Sequence, residues 1–248
     1  MSSFENLKNR VAVCVTGQVR DYSDECIERL NNVLPFDTYY GICINIKNNK
    51  LKNKKNIIEL FQPEPEYHPY LVHEKYVPNC PTFKRYRDHK IWSKEGLYDA
   101  SNKQYLEVLN HFNLIQKLNS KYDIIIKCRF DVFLSDKIDF IKFINHTIET
   151  DKTIGMSNLD KFTDESRPLT MGNFRSDINK DIYLYNHLVF HKRNNTADVP
   201  KLIKEKRLLP AEYGYYQAFA EKNGKGFINF QGGMVIARHK FGKIHNFS

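Results

Sequence analysis

Long apolar segments are absent from this sequence. No hydrophobic run approaches the roughly 20 consecutive apolar residues that a membrane-spanning helix requires. The N-terminal stretch MSSFENLKNR has no apolar core of the kind found in a secretory signal peptide. We therefore expect a cytoplasmic protein without a transmembrane segment, and a peripheral position at a membrane stays open.

Cysteine pairs and the common phosphate-binding motifs are also absent. The five cysteines are scattered and include no Cys-x-x-Cys pair, which favours reduced thiols over disulfides or a zinc site. Neither G-x-G-x-x-G nor G-x-x-x-x-G-K-[ST] occurs. A dinucleotide-binding motif and a P-loop are therefore not supported.

Negative charge is in deficit. The chain has 38 Lys and Arg residues against 29 Asp and Glu residues, which leaves a formal net charge of +9. Such an excess favours acidic partners, namely nucleic acid, an anionic membrane surface or a phosphorylated small molecule. The charge alone does not choose among these three classes.

The N-terminal third has the rhythm of an α/β protein. Residues 11–16 (VAVCVT) form a continuous β-prone run that is typical of a buried central strand. Asp21 and Ser23 offer N-caps for a helix that extends to about Val33, and residues 38–46 predict a second strand. This order predicts a single Rossmann-like domain over residues 1–248, with a mostly parallel central sheet flanked by helices.

The remaining pattern predicts further elements along the chain. They are a short helix at 57–61, an irregular segment rich in proline and aromatic residues at 62–96, a helix at 100–119, a strand at 122–126, a helix at 136–150, a strand or helix at 183–191, a helix at 211–222 ended by Gly224, and two strands, 227–230 and 234–238, around a Gly232-Gly233 turn.

An arginine and a carboxylate follow the apolar strand of residues 122–126. In open α/β sheets, ligands bind at the carboxyl ends of the strands, and Arg129-Phe130-Asp131 lies at such an end. Asp131 is suited to hold Mg²⁺ or Mn²⁺, which in turn holds a diphosphate, while Arg129 orients the carboxylate or neutralises phosphate. A purely structural Arg129–Asp131 ion pair is the open alternative.

Three short motifs carry a resemblance to a known superfamily. Arg-Phe-Asp-Val at 129–132 resembles the Arg-x-Asp variant of the Asp-x-Asp motif in nucleotide-sugar glycosyltransferases of GT-A fold. The segment VCVTGQVR at 13–20 is similar to the first strand and loop of short GT-A-like proteins of bacteria and phages, including the WavE-type lipopolysaccharide synthesis family. AEYGYYQ at 211–217 resembles their late Pro-Glu-x-x-x segment, and the sequence departs from the superfamily in having one Asp rather than Asp-x-Asp.

The resemblance implies transfer of a sugar from a nucleotide-sugar donor, most readily a UDP-sugar, with Mn²⁺ or Mg²⁺ as the cofactor. It implies a metal ligand at Asp131, joined by a later histidine, His245 or His239, and a general base at Glu212. Structural alternatives stay open for several of the implied residues: a surface arginine for Arg20, helix capping for Asn102 and Gln104, a helix-terminal carboxylate for Glu212, and surface histidines for His239 and His245. The residues implied in binding the sugar donor are Gly17, Gln18, Arg20, Asn102, Gln104 and Arg129.

Two acceptor classes are expected, a surface glycan and a hydroxymethylated base in phage DNA. The lysine-rich segment 47–56 and the basic residues Lys84, Arg85 and Arg87 suit an anionic acceptor, and equally suit a solvated surface. A different class also fits the charge, namely a non-catalytic basic protein that binds nucleic acid. That alternative predicts salt-sensitive binding without turnover of a nucleotide-sugar.

Overall fold

A computed structural model of the chain describes residues 4–20, 22–43, 51, 54–61, 67–76, 94–157, 184, 186–219, 227–231 and 234–236. The predicted acceptor residues Lys84, Arg85 and Arg87 lie outside these residues, as do His239 and His245. Most of the 62–96 segment does so too, and a single domain over residues 1–248 stays a prediction.

The strands of the described residues form two sheets. In chain order they are β1 (Val11–Thr16), β2 (Asp37–Cys43), β3 (Ile57–Leu60), β4 (Ile124–Arg129), β5 (Val132–Leu134), β6 (Thr153–Ser157), β7 (Leu188–Lys192), β8 (Phe227–Gln231) and β9 (Met234–Ile236). The main sheet has the order β3-β2-β1-β4-β7-β6-β8, and β5 pairs with β9 in a second sheet. In the main sheet only β7 is antiparallel to its neighbours. The predicted mostly parallel α/β sheet is therefore confirmed.

Helices cover both faces of the main sheet. They are α1 (Phe4–Leu7), α2 (Ser23–Val33), α3 (Pro69–Tyr76), α4 (Lys94–Gln116), α5 (Phe140–Thr150), α6 (Val199–Lys204) and α7 (Ala211–Phe219), with a 3-10 turn at Arg193–Thr196. None of the helices in the described part of the chain is long and apolar enough to cross a membrane.

The side chains of β1 alternate between two hydrophobic cores. Val11, Val13 and Val15 pack with α2 and α5, whereas Ala12 and Cys14 pack with α4 and α7. Because both faces are covered, β1 is buried at every position, as is β4 up to Cys128. This burial is the physical reason for the continuous apolar runs in the two strands.

The winding of the sheet reverses between β1 and β4. The chain runs from β1 outward to β2 and β3, then returns to place β4 on the other side of β1. The two strands are parallel, and Thr16 is the direct partner of Arg129. The loops that follow β1 and β4 therefore meet at a topological switch point, where open α/β sheets form a crevice.

Some predicted elements are wrong. Residues 57–60 form strand β3, paired parallel with β2, and not a helix. A run this short has too little periodicity to distinguish a helix from a strand. Residues 57–60 form a strand because β2 offers free backbone hydrogen-bonding groups on that side. The two strands predicted on either side of Gly232-Gly233 are present as β8 and β9, but they do not pair with each other: β8 pairs with β6 and β9 pairs with β5. Strand β7 (Leu188–Lys192) begins inside the undecided segment 183–191 and ends one residue beyond it.

Candidate functional site

Arg129 and Asp131 form a two-pronged ion pair at the end of β4. Nε of Arg129 donates to Oδ1 of Asp131 at 2.8 Å, and Nη2 donates to Oδ2 at 2.7 Å. Asp131 is only 2% exposed. The pair foreseen as the structural alternative is thus present, and both carboxylate oxygens already accept a charge-assisted hydrogen bond.

Arg20 brings a second guanidinium to the same carboxylate. Its Nε lies 3.6 Å from Oδ2 of Asp131, beyond hydrogen-bonding distance, and this Nε has no hydrogen-bond partner among the described residues. The side chain of Arg20 is 35% exposed, against 3% for that of Asp131. Arg20 is therefore the more accessible of the two guanidinium groups to solvent and to an incoming anion.

The loop after β1 positions Arg20. Gly17 has a φ of +115°, a backbone conformation that residues other than glycine rarely adopt. A Cβ placed on Gly17 would have no atom within 4 Å. The backbone N–H of Arg20 donates to Oγ of Ser23 at 2.8 Å. Ser23 therefore does not cap α2 as predicted; Tyr22 stands at the N-cap without a side-chain cap bond, and Asp21 is outside the described residues.

A buried lysine lies on the same face of β4, two residues before Arg129. Lys127 is fully buried, and its Nζ donates to Oε1 of Glu107 at 2.7 Å and to the carbonyl oxygen of Asn186. Nζ also lies 4.7 Å from the ring centroid of Tyr215, whose hydroxyl donates to the carbonyl oxygen of Glu107. Burial lowers the pKa of Lys127, and the Glu107 carboxylate opposes that effect. Sequence reasoning missed both residues; the available signal was a lysine inside an apolar strand.

The cluster carries one excess positive charge. It contains three cations, Arg20, Lys127 and Arg129, against the two carboxylates of Glu107 and Asp131. Burial alone would lower the pKa of Arg129, but Glu107 and Asp131 outweigh burial and raise this pKa above its ordinary value. The guanidinium of Arg129 therefore stays charged at neutral pH, and together with Arg20 it is suited to an anion.

Polar oxygens without partners lie near the ends of β1 and β2. Oγ1 of Thr16, the last residue of β1, is buried and has no hydrogen-bond partner in the described part of the chain. Asn110 of α4 donates to the Cys43 sulfur at the end of β2, and its Oδ1 has no such partner either. Buried polar atoms are normally hydrogen-bonded, so a bound ligand or water is the ordinary reason for such exceptions.

Asn102 and Gln104 lie inside α4 and not at its start. The helix begins at Lys94, six residues earlier than expected, so the capping role that was the alternative for Asn102 is wrong. The side-chain oxygens of both residues are buried and without partners among the described residues. Residues two apart on a helix point in different directions, so the two side chains do not face one common point.

The other predicted site residues are placed only in part. Gln18 is exposed in the loop after β1. Glu212 lies in the first turn of α7, and only its backbone is described.

The described residues do not fit a divalent cation. They contain no group of three His, Cys, Asp or Glu side chains that could hold a metal ion. Asp131 is bonded by one guanidinium and faced by a second, and Glu107 is bonded by Lys127. A metal role for Asp131 with His245 stays a prediction, because His245 lies outside the described residues.

No protein-family model matches the sequence, and no curated protein matches it. Similar solved structures include a 4-diphosphocytidyl-2C-methyl-D-erythritol synthase from Anaerococcus prevotii, with 11% identity and a TM-score of 0.47 over 98% of this chain and 95% of that chain. A glycosyltransferase involved in glycosylation of the major capsid of PBCV-1 has 8% identity and a TM-score of 0.37, over 90% and 81%. A segment of S. aureus TarS in complex with UDP-GlcNAc has 9% identity and a TM-score of 0.40, over 90% and 58%. Identities this low show no common family.

Proposed function

We propose that this chain is a glycosyltransferase that moves a sugar from a nucleotide-sugar donor to an acceptor hydroxyl. One observation carries the proposal: the cationic cluster of Arg20 and Arg129 around Asp131, at the switch point between β1 and β4. Crevices at this position are where open α/β sheets bind ligands. The diphosphate of a nucleotide-sugar is an anion that a pair of guanidinium groups recognises well.

The chemistry follows from the charge that develops on the leaving group. The acceptor oxygen forms a bond to the anomeric carbon while the bond from that carbon to the diphosphate oxygen breaks. The nucleoside diphosphate leaves with one more negative charge than it had in the sugar donor. Guanidinium groups already in place beside it stabilise this developing charge without reorganising.

Two further roles complete the proposal. Glu212 accepts the proton of the acceptor hydroxyl if the transfer inverts the anomeric configuration, which gives that oxygen its nucleophilic character. The nucleoside lies beside the ends of β1 and β2, where Oγ1 of Thr16 and Oδ1 of Asn110 have no partner among the described residues. Either Asn102 or Gln104 is proposed to contact the sugar donor from α4 through its side chain.

The acceptor is a surface glycan or a hydroxymethylated base in phage DNA. The net charge of +9 supports an anionic acceptor of either class. The basic residues Lys84, Arg85 and Arg87 are the proposed acceptor contacts.

The test begins with the nucleotide. UDP, GDP, CDP and dTDP are screened by thermal shift, and UDP-sugars are then assayed for release of the nucleoside diphosphate, with glycan and with DNA as acceptors. A ligand at 100 times its Kd stabilises the fold by about 2.7 kcal/mol, which is readily seen. We expect one nucleotide to bind and its sugar conjugate to turn over. Absence of any nucleotide binding, together with salt-sensitive binding of DNA, would favour the non-catalytic nucleic-acid-binding class instead.

A further inference from the structure

We infer that Arg20 and Arg129 bind the diphosphate of the sugar donor directly, without a divalent cation, and that Asp131 is a positioning residue that holds the two guanidinium groups. This inference rests on the proposed function and specifies how its site treats the substrate. It assigns Asp131 a partner other than the metal that the sequence led us to expect.

Among the described residues, both arginines face the carboxylate of Asp131. Each oxygen of Asp131 accepts a hydrogen bond from Arg129, and Arg20 adds a positive charge 3.6 Å away. A metal ion at Asp131 would either displace Arg129, whose side chain is 17% exposed, or share the carboxylate with two guanidinium groups that repel it at short range. Breaking a buried ion pair leaves an uncompensated charge, so this displacement is strongly unfavourable.

Arg20 and Arg129 outnumber the single carboxylate of Asp131 that they face. With Glu107 committed to Lys127, the cluster has one excess positive charge before any ligand arrives. A divalent cation would add repulsion at short range, whereas a diphosphate would relieve it. The electrostatics of the site therefore select an anion.

Both arginines keep hydrogen-bond donors that Asp131 does not use. Arg129 uses Nε and Nη2 on Asp131, and its hydrogen bonds to that carboxylate do not engage Nη1. Arg20 is one-third exposed, and its buried Nε has no hydrogen-bond partner among the described residues. A guanidinium has five N–H donors in a fixed plane, so both side chains keep donors for phosphate oxygens. The open space beside Gly17 leaves room for the ligand.

The test measures binding of inorganic pyrophosphate and of UDP by calorimetry, in EDTA and in Mn²⁺ or Mg²⁺. We expect binding in EDTA and no tightening by either metal. Mn²⁺ alone should not bind to the protein at micromolar concentration. Binding that becomes tenfold tighter with a metal would overturn the inference and leave the proposed function intact. Absence of binding under every condition would overturn both.

Variants identify the residues that bind. Arg20→Gln removes a partly exposed side chain and leaves the Arg129–Asp131 pair in place, so the fold should be retained. We expect it to weaken pyrophosphate binding in EDTA about tenfold or more, since hydrogen bonds to charged groups are among the strong ones. Arg20→Lys should recover part of the loss.

The matched control is Arg10→Gln. Arg10 makes a similar bidentate ion pair with Asp123. This pair lies at the amino ends of β1 and β4, away from the carboxyl ends where Arg20 and Arg129 lie. Its replacement should change pyrophosphate affinity less than twofold. An equal loss in both variants would mean a non-specific effect of net charge and would overturn the inference.

The positioning role of Asp131 has its own readout. Asp131→Asn should weaken pyrophosphate binding to the same extent in EDTA and in Mn²⁺, because the loss comes from the two arginines. A metal ligand would instead lose only the binding that Mn²⁺ supports. A loss confined to Mn²⁺ would therefore overturn the assignment, and the melting temperature of the variant is recorded to establish that it is folded.

Discussion

His111 and His191 lie with their Nε2 atoms 3.0 Å apart, in the core between the sheet and helices α4 and α7. Both side chains are fully buried. Nδ1 of His191 lies 2.9 Å from the carbonyl oxygen of Lys192, which can only accept, so this Nδ1 carries the proton. Nε2 of His191 is then the acceptor, and Nε2 of His111 donates to it. The tautomers of both rings are thus defined, and both rings are neutral.

The neutral histidine pair predicts a loss of stability in mild acid. Burial lowers the pKa of His191 to about 3 and holds the pKa of His111 well below its ordinary value. Since both folded-state values lie below the unfolded value of about 6.5, the unfolded chain takes up protons first as pH falls. The contribution of the two rings to the free energy of unfolding is fully present above about pH 6.5. Below that pH it decreases, by up to about 1.4 kcal/mol per pH unit for each ring. Urea denaturation at pH 7.5 and pH 5 measures this change, and His191→Gln should show a smaller one. An equal loss of unfolding free energy between pH 7.5 and pH 5 in both proteins would contradict the assignment of His191 as a buried, neutral ring.

The buried ion pair of Lys127 and Glu107 predicts an asymmetric response to mutation. Lys127 is fully buried, whereas the Glu107 side chain is 16% exposed. Glu107→Gln leaves a buried ammonium without its counter-charge and should cost about 3 kcal/mol in the free energy of unfolding. Lys127→Met leaves a carboxylate that can reach water and should cost clearly less. Chemical denaturation of the two variants measures the difference, and the reverse order would show that the lysine is not the constrained partner.

Replacement of Gly17 should affect pyrophosphate binding more than it affects stability. Its φ of +115° strains any other residue, although the surrounding space is open. Gly17→Ala should cost about 1–2 kcal/mol of stability and should weaken binding of pyrophosphate, because the loop that carries Arg20 shifts.

Gly41→Ala is the comparison for Gly17→Ala. Its added Cβ would lie 2.8 Å from Cδ1 of Leu60, inside the core. It should lower the melting temperature and leave the affinity of the folded protein for pyrophosphate unchanged. Pyrophosphate rather than UDP is the probe, because the added Cβ also lies 3.1 Å from Cγ2 of Thr16, which is proposed to lie beside the nucleoside. If both variants bind normally, the loop geometry is not what presents Arg20.

Asp131→Asn predicts loss of sugar transfer. Without a full carboxylate charge, the two guanidinium groups lose their fixed positions, and misplacement by about 1 Å can cost on the order of 100-fold in rate. Release of nucleoside diphosphate measures the effect. Asp123→Asn is the control, since Asp123 pairs with Arg10 at the opposite edge of the sheet. Normal transfer by Asp131→Asn would remove Asp131 from the active site.

Local pattern was sufficient for the elements whose burial is uniform. Residues 11–16 and the run at Ile124 were predicted as buried strands, and both are central strands of the sheet. The amphipathic helix α4 was predicted over most of its length. Strands β5 and β6 were missed, because runs this short have too little periodicity to distinguish a strand from a helix or a loop.

Pairing between distant strands was beyond the reach of local pattern. Strands β8 and β9 are separated by two residues, yet they belong to different sheets. The antiparallel direction of β7 between β4 and β6 is likewise a property of the assembled sheet. Which edge a strand joins depends on the free hydrogen-bonding groups and apolar surface that the rest of the chain presents.

The sequence by itself determined that an arginine and a carboxylate follow a buried parallel strand, and that a glycine and an arginine follow another. Both facts depend on neighbouring residues alone, because burial on two faces requires a continuous apolar run. Only the tertiary structure decided that Arg20 meets Asp131, that Lys127 finds Glu107, and that His111 pairs with His191. Each of these contacts exists because a buried charge or polar group has to be satisfied, and its partner comes from wherever the folded chain passes.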